Sequence, residues 1–253
     1  MKSANWRLLA IFVVMATCTA MAGTPEEWTK TFTITDRPDL RVETSDANIH
    51  VDTWDQKSIE VRITSQKWGF GQGGLQVVDR QNGDAVEIEV RFPRSTHILS
   101  VGSRRVEIEV RMPREGKARL HTGDGHETFE GIEGNLRAHS GDGRIQARGR
   151  FDSLQLHTGD GRIEAEAVAG STVGSGWELR TGDGSVKLDL PENFAADMEL
   201  HTSDGHVTLD MPVTVQGRYD SNRIDGKLNG GGGPLRIETG DGSIHIGRTT
   251  ASL

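Results

Sequence analysis

Residues 154–165 read LQLHTGDGRIEA: the block Thr-Gly-Asp-Gly set between two stretches that alternate apolar and polar. The same unit returns at 120–129 (LHTGDGHETF), 136–147 (LRAHSGDGRIQA), 177–188 (WELRTGDGSVKL), 198–209 (MELHTSDGHVTL) and 235–246 (LRIETGDGSIHI), and in weaker form at 40–51 (LRVETSDANIHV). Self-similarity at about 20 residues marks a stacked β architecture, because one short unit cannot bury its apolar face alone. The repeat therefore speaks to architecture far more than to chemistry.

Aligned on the turn aspartate, the apolar positions superpose. Before the turn they are Leu40, Ala118, Leu136, Leu154, Trp177, Met198 and Leu235, then Val42, Leu120, Ala138, Leu156, Leu179, Leu200 and Ile237. After it come Ile49, Ile145, Ile163, Val186, Val207 and Ile244, with Glu127 the exception, and then Val51, Phe129, Ala147, Ala165, Leu188, Leu209 and Ile246. Period two on both sides of a break means two strands, each with one face inward. The second glycine of each block (Gly125, Gly143, Gly161, Gly184, Gly205, Gly242) is expected to supply a positive φ, and the Asp to accept from nearby backbone amides.

Two geometries fit. Asp-Gly between alternating strands is a hairpin signal, which gives an antiparallel β-meander. Alternatively, like units lie one above another as parallel rungs of a β-solenoid, about 4.8 Å apart. The turn aspartates fall at 46, 124, 142, 160, 183, 204 and 241, so the steps after the first gap are 18, 18, 23, 21 and 37 residues. A degenerate unit at 224–228 would split the last step into 21 and 16. Leu, Ile and Ala at the inward positions favour the solenoid, whose interior is narrow.

The run VRMPREGKARLHTGDG (110–125), the TGDG ladder and the closing DGKLNGGGGPLRIETGDGSIHI (225–246) resemble an uncharacterised bacterial envelope family of candidate adhesins, similar to the head domains of auto-transporter adhesins. The resemblance implies an exported β-solenoid-like domain. It brings no catalytic residues with it.

Lys2 and Arg7 precede an apolar run at 8–16, and Ala20-Met21-Ala22 stands before Gly23, so residues 1–22 read as a secretory signal peptide. That run is too short to span a bilayer. Cys18, the single cysteine, supports a rival reading in which it is lipidated as a lipoprotein N-terminus. The expected body is one elongated β-repeat domain over 23–253, with an N-terminal β part at about 24–117 and the ladder at about 118–250. In the N-terminal part, VEIEVRFP (86–93) recurs as VEIEVRMP (106–113), and residues 31–34 and 59–64 read as further strands. Loops are expected at 69–74, 94–105, 170–176 and 229–233, and a single helical turn after Pro191.

Removing 1–22 takes two bases and no acid, moving the net charge from −8 to −10. An acidic chain without a basic cluster argues against nucleic acid and against anionic lipid as partners. Gly69, Gly71 and Gly74 match a dinucleotide-binding pattern, but a strand-like stretch follows, so residues 69–74 are expected to be a hairpin loop. His126 and Glu127 begin like a metalloprotease motif, with Glu130 where its second histidine belongs.

Stacked rungs would line up Asp124, Asp142 and Asp160, and also His121, His139 and His157, with His201 in the equivalent position. The aspartate row offers sites for a shared Ca²⁺, although the nine-residue repeat of RTX calcium solenoids is absent, and the imidazole row offers Zn²⁺ binding or pH sensing. Solvated polar surface is the default for both, and no cofactor, metal or catalytic residue is assigned. Two functional classes remain. One is a non-enzymatic envelope or surface protein presenting a polar face to a carbohydrate or protein partner. The other is a polysaccharide lyase or glycosidase of the β-helix type, which needs two carboxyl groups in different environments.

Overall fold

The computed structural model describes residues 26–66, 68–93, 105–212 and 214–249. The proposed leader, Cys18 and residues 94–104 of the expected loop lie outside them. In chain order the strands are β1 (Glu26–Thr33), β2 (Asp39–Thr44), β3 (Asn48–Trp54), β4 (Ser58–Ser65), β5 (Gln76–Asn82), β6 (Ala85–Arg91), β7 (Val106–Pro113), β8 (Glu115–Thr122), β9 (Glu127–Ser140), β10 (Ile145–Thr158), β11 (Ile163–Ala167), β12 (Trp177–Thr181), β13 (Val186–Leu190), β14 (Ala196–Thr202), β15 (Val207–Leu209), β16 (Thr214–Tyr219), β17 (Arg223–Leu228), β18 (Gly233–Thr239) and β19 (Ile244–Arg248). Among the described residues there is no helix, and hence none that could cross a membrane; after Pro191 the chain makes one turn, closed by the Phe194 N–H on the Pro191 carbonyl (3.0 Å).

The strands before and after each TGDG turn do not pair with one another. Each finds its partners in other units, in parallel and in register. Strands preceding a turn form one face, in the order β6, β2, β8, the second half of β9, the second half of β10, β12, β18 and β14. Strands following a turn form the other: β7, β3, the first halves of β9 and β10, β11, β13, β19 and β15. Because β9 and β10 run through the bend at 131–134 and 149–152, the two faces are one sheet folded on itself. The result is all-β and β-solenoid-like, and the TGDG turns are arches rather than hairpins.

Antiparallel pairing is confined to the ends. β1, β4 and β7 pair so at one end, as do β5 and β6 through the Asn82-Gly83 turn, with Gly83 at φ 59°. At the other end β17 lies antiparallel to β14 and β16 to β17. Such strands finish a parallel stack whose open edges would otherwise recruit further chains. The expected rung at 224–228 is therefore corrected: Asp225-Gly226 lies inside β17, an antiparallel end strand. The expected hairpin loop at 69–74 is corrected too, since β4 and β5 do not pair and this segment passes from one face to the other.

Spatial order departs from chain order twice. β6 and β7 lie outside β2 and β3, at the start of the stack. The last unit, β18 and β19, is inserted between β12/β13 and β14/β15, so the turn aspartates stack as 46, 124, 142, 160, 183, 241, 204. The two faces enclose one core. Leu154, Leu156, Ile163 and Leu179 are at most 1% exposed, and burial of each such side chain is worth roughly 1.5–3 kcal/mol. The bend side holds an aromatic cluster, Phe151, Trp177 and Phe194, with ring centroids 6.1 and 4.8 Å apart.

Candidate functional site

The TGDG edge comes first because it sets the pitch of every row outside it. The turn glycines carry no positive φ. They are required for a different reason: a Cβ on Gly125, Gly143, Gly161, Gly184, Gly205 or Gly242 would stand 1.8–2.1 Å from a carbonyl oxygen of the neighbouring rung. Nor does the Asp cap the turn. Thr158 Oγ1 accepts the Gly161 N–H (3.3 Å) and donates to the Gly143 carbonyl of the next rung (2.9 Å). Ser140, Thr181 and Thr202 repeat both bonds, and Thr239 repeats the donation. Thr44, on the first rung, has no such neighbour, and its buried hydroxyl is left without a partner.

The aspartates Asp124, Asp142 and Asp160 point into solvent. Burial, and then the charge of Asp124, pushes the Asp46 carboxyl above its ordinary range. Among the described residues no group of three or more His, Cys, Asp or Glu side chains is placed to hold a metal ion.

On the outward side of the first face, β8, β9 and β10 bring together residues far apart in the chain. His121, His139 and His157 occupy one row, with ring centroids 4.8 Å apart and stacked for the first pair, 5.0 Å apart and edge-on for the second. Burial, and then its two neighbours, holds the His139 imidazole below its ordinary range. The adjacent row carries Arg119 and Arg137, followed by Gln155, and Lys117 lies one position further along β8. Arg119 bonds Asp39 (2.7 Å), whereas Arg137 donates only to the Gln155 side chain (2.7 Å). Sequence reading found the imidazole row but missed the arginines beside it, which period two had already placed outward.

The outward side of the second face meets the bend in an open groove of about 650 Å³, where Gly131 (φ 79°) interrupts β9. Trp54, Arg111, Arg114, Arg148 and Arg150 line it with Asp52, Glu130 and Glu133. Its arginines are already engaged: Arg114 with Asp55 (3.0 Å), Arg148 with Glu166 (3.4 Å), and Arg150 with Glu133 (3.1 Å). Burial, opposed by Arg148 and reinforced by Asp52, pushes the Glu130 carboxyl above its ordinary range. One buried carboxyl stands apart from all of this. Glu127 is wholly enclosed between Ile49 and Ile145, with neither oxygen hydrogen-bonded, and burial pushes it up to about 8.

The Toastrack DUF4097 family model matches residues 116–247, more than half of the chain, and the chain belongs to that family. Among solved structures, a "putative cell adhesion protein" of Clostridium sporogenes is similar at 14% identity and TM-score 0.59, over 89% of this chain and all of that one. A "putative adhesin" of Parabacteroides merdae (10% identity, TM-score 0.37) and a "putative lipid binding protein" of Parabacteroides distasonis (11%, 0.31) each match over 87% of this chain and 96% of their own. No curated protein matches the chain. At these identities the likeness speaks to the fold alone.

Proposed function

We propose that this chain, as a member of the Toastrack DUF4097 family, is an exported, non-enzymatic binding or scaffold module of the bacterial envelope. What it offers a partner is an outward β face rather than an enclosed cavity. The observation that carries this reading is the equivalence of the outward groups. Side chains of like chemistry stand in rows at strand pitch, as with His121, His139 and His157, over a core that holds them rigidly. A lyase or glycosidase needs the opposite, two carboxyl groups set apart by environment. The nearest approach to that, Glu130 beside Asp52, sits in an open groove whose arginines are already paired with acids. Adhesion, the role in the name of the Clostridium sporogenes neighbour, is one form such binding takes.

The reading includes cleavage of residues 1–22, a mature chain beginning at Gly23, and a single elongated body of rungs of about 20 residues. Turn spacings of 18, 18 and 23 residues over four consecutive rungs support that length. Fractionation with intact-mass analysis tests the export. A mature product at Gly23 in the periplasm or medium is expected, while a lipid-modified Cys18 would move the protein to a membrane. Incubation with a panel of polysaccharides tests the rest: no release of reducing ends or unsaturated products is expected, and robust turnover would overturn the non-enzymatic reading.

A further inference from the structure

We propose that the outward face of β8, β9 and β10 is a binding strip for one linear polyanion, an acidic polysaccharide whose charges are carboxylates. The proposal rests on the surface-binding reading above and names its partner class. Segments 117–121 (KARLH), 135–139 (NLRAH) and 153–157 (SLQLH) lie side by side in register. Their outward positions supply Lys117, Arg119, Arg137, His121, His139 and His157, and no acid. That is a basic island on a chain of net charge −8. It escapes notice along the sequence because its members are spread over 40 residues.

Its shape selects the partner. The strip is three strands wide, roughly 15 Å at strand pitch, and is flanked by ion-paired rows, Asp39, Arg41 and Glu43 on β2 and Glu178 and Arg180 on β12, with Arg41 held by Glu43 and Arg180 by Glu178. Rows whose charges are already paired add nothing to attract a broad anionic surface such as a membrane, so the unpaired basic charge is confined to a width that suits a slender chain. Arginine forks suit carboxylates, and Arg137, held only by Gln155, has guanidinium N–H groups to spare. The strip carries no Phe, Tyr or Trp, the broad rings on which bases stack best, which disfavours single-stranded nucleic acid. The imidazoles add dependence on pH. Facing them are Glu43 from β2, Arg119 and Arg137 from the next row, and Arg180 on β12, itself paired with Glu178 (3.1 Å) and Glu238. Protonation of the central His139 is opposed by burial and by the rings on either side of it, and a bound polyanion relieves it.

Polygalacturonate is the probe, titrated against the full mature chain at pH 8 and pH 5.5, beside neutral dextran, polyphosphate, single-stranded DNA and anionic vesicles. The expected result is salt-sensitive binding of polygalacturonate alone, roughly tenfold tighter at the lower pH. Arg119→Glu with Arg137→Glu should lose at least about tenfold at both pH values with an unchanged melting temperature, and Arg162→Glu on the opposite face should lose nothing. Replacing the three histidines by glutamine should keep the binding at pH 8 and abolish its rise at pH 5.5. If the double reversal fails to fold, Arg119→Gln with Arg137→Gln takes its place. No binding, equal binding of dextran, a preference for polyphosphate, DNA or vesicles, or an equal loss from Arg162→Glu overturns the strip. Failure here, with retention of the chain on envelope material, leaves the surface-binding reading standing; turnover of polysaccharide overturns that reading instead.

Discussion

Gly143 lies against the carbonyl oxygen of Gly125 so closely that a Cβ at Gly143 would stand 1.8 Å from it. The contact repeats at each TGDG turn, and it is why the second glycine returns with the motif. Gly143→Ala must push two rungs apart and should cost at least about 3 kcal/mol in denaturant melts. Gly83→Asn, at a positive φ with open space around it, should cost less than about 1 kcal/mol. Equal losses would show that conformation, not proximity, selects these glycines.

Glu127 provides the second prediction. Its carboxyl rises from an ordinary 4.5 to about 8 on folding, so between those values the folded state holds the proton and the unfolded state does not. Stability from this group is therefore present at low pH and lost as pH rises from about 4.5 to about 8, by up to about 5 kcal/mol in all. Glu127→Ile completes the ladder from Ile49 to Ile145 and should raise stability most at pH 8, flattening the profile over this range. An unchanged slope in urea melts across that range would assign the pH dependence to other groups.

How much of this was legible follows from what fixes each feature. Inward positions were readable because period two leaves no choice: Leu136, Leu154 and Trp177 are all buried, and even Glu127 was marked as the odd residue of its row. The reason for the turn glycines was not, since positive φ and close approach select the same amino acid and only the neighbouring rung tells them apart. Rung order was hidden for a related reason. Leu235 and Ile237 present the same inward chemistry as Leu154 and Leu156, so nothing local says that β18 belongs beside β12. The basic strip was obscured because parallel stacking, rather than sequence adjacency, assembles it.

The threonine bonds make a third test. Thr158→Val keeps the shape but removes the acceptor for the buried Gly161 N–H and the donor to Gly143 O. A loss of about 1–3 kcal/mol is expected. Thr158→Ser, which reproduces what Ser140 already does one rung away, should cost less than about 1 kcal/mol. Equal losses from both would point to packing of the threonine methyl.

The fourth prediction separates inward from outward residues on a single rung. Leu156 is 1% exposed, with Ala138 and Leu179 in register on either side, whereas Asp160, four residues on, faces solvent. Leu156→Asp puts an unpaired charge among apolar rungs, a penalty of the same size as a typical domain's whole stability, and should unfold the stack. Asp160→Asn keeps a turn-compatible side chain and removes one exposed repulsion from the aspartate row, so it should shift stability by less than about 1 kcal/mol. Chelator should move the melting temperature of the unaltered protein and of Asp160→Asn by no more than about 2 °C if the row holds no cation that stabilises the fold. Because rungs share neighbours, the loss at Leu156 should spread through β9, β10 and β12 as one cooperative transition. Tolerance of Leu156→Asp, or a comparable loss at Asp160, would invert the assignment of faces on which both the core and the binding strip depend.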